Sequence, residues 1–227
     1  MINPFGIIST IFAFKFVQKY NKIPYLRSIS PILLSGIILI LILKAFNIKY
    51  ETYLESANYL TYLLIPATIS LGYPLYKNIN KLFKNKRVIY FSFFFAVILT
   101  LIFVVLIGKI IDSEMMIIAS MLPKSITAPL ALETAKQMQA TPELTVCTVV
   151  LTGVVGGMFG HKILDLVKVK NNTAIGIALG AASHVIGTSK CIEKGNQTQI
   201  TMSTLALIVV GILTVVFMPL IWKLLNG

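Results

Sequence analysis

The chain has 227 residues, 56% of them hydrophobic and only 12% charged, with 20 lysines and arginines against 8 acids and a net charge of +12. A soluble domain carries about 25% charged residues, so the composition excludes a sizeable soluble domain and describes an all-α polytopic membrane protein. The basic excess falls in loops between apolar runs, the positive-inside pattern, and no nucleic-acid partner is expected from it.

In chain order, Met1 to Phe14 lacks a basic leading segment, Lys15 interrupts its apolar run and no small-residue cleavage site follows, so the segment is expected to stay on as a first helix rather than act as a signal peptide. The runs Ser56 to Tyr76, Val88 to Gly108 and Gln199 to Trp222 carry no charge and reach the roughly 17–25 residues that cross a bilayer. Three basic clusters mark cytoplasmic loops: Lys15, Lys19, Lys22 and Arg27; Lys77, Lys81, Lys84, Lys86 and Arg87; Lys162, Lys168 and Lys170. The turns between them, with Lys49, Glu51 and Glu55, then Asp112 and Glu114, then Glu143, are expected outside. The threading predicts six transmembrane helices near 3–20, 29–46, 57–76, 87–111, 143–162 and 199–222, with both termini outside.

Residues 114–139 then begin and end on the outer side. A segment that returns to its own side is a re-entrant hairpin, and its middle is Met121-Leu122-Pro123-Lys124-Ser125-Ile126-Thr127-Ala128-Pro129. A helix cannot run unchanged through Pro123 and Pro129, and irregular backbone at membrane depth is tolerated only against protein or a water-filled cavity. Residues 171–195 are expected to repeat this from the cytoplasmic side, although their uncharged stretch from Asn171 to Ser189 is also long enough to cross outright. The resulting plan is one integral membrane domain, 1–227: N-terminal helices over 1–86, a span plus broken-helix hairpin over 87–139, an inverted copy over 143–195, and a last span at 199–222. Inverted repeats of this kind hold a substrate between broken helices near the midplane.

Lys124 is the strongest candidate for chemistry, since an intramembrane lysine marks a functional site unless it merely snorkels to the interface. Ser125 or Thr127 is placed to cap the half-helix opened by Pro129, whose free N–H groups and dipole favour an anion. With Pro123 shaping the turn, these residues suit a small carboxylate. Glu133 is either a proton relay or the partner of Lys136 three residues on. In the second hairpin Ser183, His184, Gly187 and Thr188 are the counterpart candidates, His184 also as a proton site because an imidazole titrates near neutrality. The two tips are expected to bring Lys124 and His184 to one cavity. Adjacent Ser183 and His184 make a poor hydrolase pair, and no nucleophile-elbow pattern supports an enzyme.

The pairs Gly153/Gly157, Gly156/Gly160 and Gly176/Gly180 are read as helix-packing faces. Cys147 and Cys191 are read as small core residues, and neither a metal nor any other cofactor is expected, because no ligand cluster is spaced for one.

The Pro-Lys-Ser-Ile-Thr block at 123–127, Leu151-Thr152-Gly153, and Gly176 to Thr188 with its Ser-His-Val-Ile-Gly-Thr core resemble the LrgB/CidB family of bacterial membrane proteins. The likeness extends to Gly6-Ile7, Pro66-Ala67-Thr68 and Pro74-Leu75-Tyr76-Lys77. It departs from the pattern at Ala128, Lys190 and Cys191. The resemblance implies a multi-pass protein of the bacterial cytoplasmic membrane with a holin-like or antiholin-like label, that is, a role in murein hydrolase export and cell lysis beside a smaller LrgA/CidA-type membrane protein. It also implies, from other branches, transport of small carboxylates such as pyruvate, glycolate and glycerate. Membrane lipid and further copies of the chain, as a homo-oligomer, complete the expected partners.

Overall fold

The computed structural model describes residues 4–20, 31–70, 72–83 and 86–226, all of its regular elements helical. Lys22 and Arg27 of the first basic cluster and Lys84 of the second lie outside the described residues. The chain divides into two compact units, Met1–Ser70 and Leu71–Gly227.

The first unit contains α1 (Phe5–Tyr20), α2 (Pro31–Ala45), α3 (Tyr50–Thr61) and α4 (Leu64–Ser70). Helix α1 approaches α3 closely through Gly6: its N–H donates to Ser56 Oγ at 2.9 Å, and a Cβ there would lie 2.7 Å from the Ala57 nitrogen. Thr10 Oγ1 and Tyr53 OH complete the contact at 2.8 Å.

The expected span 57–76 is not one helix. It is divided among α3, α4 and α5 (Gly72–Phe83), the last belonging to the second unit. Pro66 and Pro74 are each the third residue of their helix, where a missing N–H costs nothing because the first turn has no intrahelical acceptor for it. The absence of charge alone suggested a span there; the prolines cut it.

The second unit continues with α6 (Lys86–Ile110), α7 (Met115–Met121), α8 (Ala128–Gln137), α9 (Pro142–Leu166), α10 (Asn172–Lys194) and α11 (Gln197–Asn226). Among the described residues four helices have the length and composition to cross a membrane: Lys86–Ile110, Pro142–Leu166, Asn172–Lys194 and Gln197–Lys223. Helix α6 is apolar around its whole circumference. Only the stripe Ile89, Phe93, Val97, Leu101, Val104 and Gly108 is buried, while Val88, Phe91, Phe103 and Ile110 point outward as a lipid-facing helix requires.

Helix α10 qualifies by length, but it is bent double. His184 has φ 41° and ψ −129°, outside helical space. In a straight helix residues 179 and 187 would be about 12 Å apart; here Gly187 lies against the Leu179 carbonyl and the Ser183 Cβ. Ile175, Leu179 and Cys191 share one core cluster for the same reason. Each half spans at most about 18 Å, short of the ~30 Å hydrocarbon core.

Helices α7 and α8 form a comparable pair. The helix stops at Met121, resumes at Ala128, and the chain beyond α8 returns to α7, where the Thr141 N–H donates to Ser120 Oγ at 3.0 Å. The two stretches match in detail. Helices α6 and α9 are 25 residues each, and the stretch Met115–Gln137 equals the 23 residues of α10. The left-handed residues Asp112 and Gln139 recur at Lys168 and Gly195, the same spacing apart. At Asp112, Gln139 and Lys168 the following N–H reaches back five residues to Gly108, Ala135 and Leu164, the Schellman cap.

Candidate functional site around the two helix breaks

Helix α9 carries both hairpins. The first lies along its N-terminal part, with Ile126 of the 122–127 turn packed on Val149 and Ala131. The second packs against α9 from the other end: Leu164 and Val169 join Ile175 and Cys191 at its base, and its tip reaches Val149, whose carbonyl accepts a hydrogen bond from His184 Nε2 at 3.0 Å. The two tips thus arrive at one residue of α9 from opposite ends of the helix.

Glycines make these approaches possible. A Cβ at Gly153 would lie 2.7 Å from His184 Cε1, Gly156 sits directly under the Ser183 hydroxyl, and a Cβ at Gly160 would lie 2.5 Å from Leu179 Cδ2. Gly157 faces Ile186, and Gly176 and Gly180 face Gln199 and Ser203 of α11. The small-residue pairs do act as packing faces, and Gly153 and Gly156 also seat the residues of the second break.

At the first break Pro123, Ser125 and Thr127 are buried and Lys124 is partly buried. Lys124 Nζ donates to Ser125 Oγ at 3.3 Å. Among the described residues the ion pairs are Lys136–Glu133 and Lys190–Glu193, so Lys124 faces no carboxylate within ion-pair distance. Thr127 occupies the N-cap position of α8 with extended φ −70° and ψ 146°, but its side chain makes no capping bond. Its carbonyl takes the Ala131 N–H at 2.9 Å, whereas its buried hydroxyl has no hydrogen-bond partner. The capping role expected for Ser125 or Thr127 is therefore not realised. A cationic side chain, a helix N-terminus and an unpaired buried hydroxyl instead fall within the short stretch 124–128, and each of them attracts an acceptor, preferably an anion.

At the second break Ser183, His184, Gly187 and Thr188 are all buried. Thr188 Oγ1 donates to the His184 carbonyl at 3.0 Å, one turn back at the bend. The bond to Val149 makes Nε2 the protonated nitrogen of the neutral ring. Glu133 lies elsewhere: it pairs with Lys136 at 2.8 Å on the exposed face of α8, opposite the buried Ala131, Thr134 and Ala135. Cys191 is a core residue as expected, while Cys147 is exposed on α9, on a face of the helix turned away from the core.

The sequence reading missed Val149, which nothing but its place on α9 distinguishes. It also missed a polar chain at the base of the second hairpin: His161 Nε2 lies 3.2 Å from Gln199 Oε1, and Gln199 Nε2 donates to Asn172 Oδ1 at 2.9 Å. His161, as one of two histidines in an apolar chain, was the available signal.

An all-helical chain with membrane-length helices and two broken hairpins meeting on a third helix is an integral membrane protein. It belongs to the LrgB-like family, which it matches over residues 10–224. It is 29% identical to "Holin-like protein CidB" of Staphylococcus aureus (strain N315), an alignment covering 95% of this chain and 92% of that protein. Similar matches are "Uncharacterized protein YxaC" of Bacillus subtilis, 31% identical over 95% of this chain and 93% of its own, and an uncharacterized protein of Haemophilus influenzae, 30% identical with the same coverage. No solved structure matches the chain.

Proposed function

We propose that this protein carries small carboxylates of the pyruvate, glycolate or glycerate kind across the bacterial cytoplasmic membrane, through a site between two re-entrant hairpins of an inverted repeat. The observation that carries the reading is the Thr127 hydroxyl, buried without a partner at the N-terminus of α8, in the same turn whose Lys124 bonds to Ser125. A buried hydroxyl without a partner costs about 1–3 kcal/mol, and a bound carboxylate recovers that cost while using the helix dipole and the lysine charge. The hairpin halves, too short to cross, and their approach from opposite ends of α9 support a site reachable from either side in turn.

The second reading, a holin-like pore or regulator of murein hydrolase export and lysis, is favoured by the printed name of the staphylococcal relatives. It does not account for an anion niche. Under both readings the chain works in the lipid bilayer, as a homo-oligomer and beside a smaller LrgA/CidA-type membrane protein.

Proteoliposomes separate the two. Saturable uptake of labelled pyruvate or glycolate, with an entrapped fluorescent dye retained, supports the carrier. Dye release without saturable uptake, whether by the chain alone or with the smaller protein, supports the pore and removes the carrier.

A further inference from the structure

His184 combines three features that belong together. Its backbone, at φ 41° and ψ −129°, is a conformation that glycine adopts freely and other residues only under strain. The other described non-glycine residues of positive φ, Asn47, Asp112, Gln139 and Lys168, lie just beyond helix ends, where a left-handed residue is ordinary. Its ring is buried and donates to a main-chain carbonyl 35 positions away. That carbonyl belongs to Val149, whose side chain is 1% exposed and packs on Ile126 at the tip of the first hairpin. Gly153, one turn further along α9, leaves the space the ring fills.

From this geometry we infer that His184 is a positioning residue: its bond to Val149 across Gly153 ties the tip of the second hairpin to the part of α9 on which the first hairpin rests, so the two tips move as one unit. A ring already engaged with a main-chain carbonyl is anchored, and a glycine at 184 would make the same bend without that anchor. The inference places the tie within the site proposed above, and its consequence for transport rests on that reading. The tie itself does not.

The test uses the full chain in detergent and in proteoliposomes, with Cys147→Ser to remove the exposed thiol and Ser125→Cys as a reporter on the first hairpin; the same protein without the reporter corrects for Cys191. Ser125 is buried, so alkylation by N-ethylmaleimide is slow while the tips are held. His184→Gly keeps the bend and removes the ring, and is expected to speed labelling at 125 tenfold or more with the thermal midpoint of the protein retained. Gly153→Ala, which puts a methyl 2.7 Å from His184 Cε1, is expected to act in the same direction. His184→Gln, whose amide nitrogen can donate to Val149, is expected to restore slow labelling. Slow labelling in His184→Gly overturns the tie, and so does fast labelling in His184→Gln. The measurement needs no transport, so a failure of uptake refutes the carrier and leaves this inference standing or falling on its own.

Discussion

Replacing Thr127 by valine should move stability and affinity in opposite directions. The two side chains have nearly the same shape, so no cavity opens, and the only loss is a hydroxyl that is buried and has no partner. Burying such a group costs about 1–3 kcal/mol in mutational series, so the empty protein should gain about that much on Thr127→Val. Thermal unfolding in detergent without carboxylate reads this as a higher midpoint, about 2–4 °C per kcal/mol for a chain of this size. A hydrogen bond to a charged ligand contributes about 1.5–3 kcal/mol, so the same change should weaken carboxylate binding by roughly 10- to 150-fold. The ligand-induced rise in midpoint, which follows the ratio of ligand concentration to Kd, should shrink accordingly. A destabilised variant with unchanged carboxylate affinity would refute the reasoning, because it would mean that the hydroxyl is satisfied in the protein and has no part in binding.

The remaining predictions follow from the same geometry. Lys124→Ala should raise the Kd or Km for the carboxylate about tenfold or more, since it removes the charge beside the α8 N-terminus; unchanged affinity in a folded variant would make Lys124 an interfacial anchor. Glu133→Gln should leave uptake and its pH profile as they are, because the Glu133–Lys136 pair is exposed and such pairs contribute little. Gly180→Ala should destabilise the protein by about 1–3 kcal/mol or more, since its methyl falls on the Ser203 backbone, whereas Gly36→Ala, with nothing within 4 Å, should be neutral or stabilising in denaturation experiments. On a Cys147→Ser background, cysteines at positions 80 and 171 should be shielded from an external impermeant thiol reagent, and those at positions 55 and 141 should react with it. Labelling at 141 only after permeabilisation would remove the re-entrant first hairpin.

Both helix breaks were legible in the sequence for different reasons. Pro123 and Pro129 forbid a continuous helix, and the helix does stop at Met121 and resume at Ala128. The second break carries no proline; its glycines and Ser183-His184 pointed to the right region, but the bend falls on His184 rather than on a glycine. The stretch 57–76 is not the single helix expected, because Pro66 and Pro74 count for more than its uncharged composition. The capping hydroxyl of Thr127 was misread because residue type at an N-cap states a preference, while the side chain's partner depends on what packs around it.

What the sequence by itself determined is the solvent and the breaks: apolar run length selects the bilayer, and proline and glycine decide where a helix can end or bend. These are local properties, set by dihedral sterics and transfer free energy. Which face of each helix turns inward was decided only by tertiary structure. Helices such as α6 are apolar on every side, so no hydrophobic stripe distinguishes the core face from the lipid face. That choice falls to close packing over Gly153, Gly156, Gly176 and Gly180. The same packing brings Ile126 and His184, far apart in the chain, to the two sides of Val149, because a contact between segments exists only once the helices between them have docked.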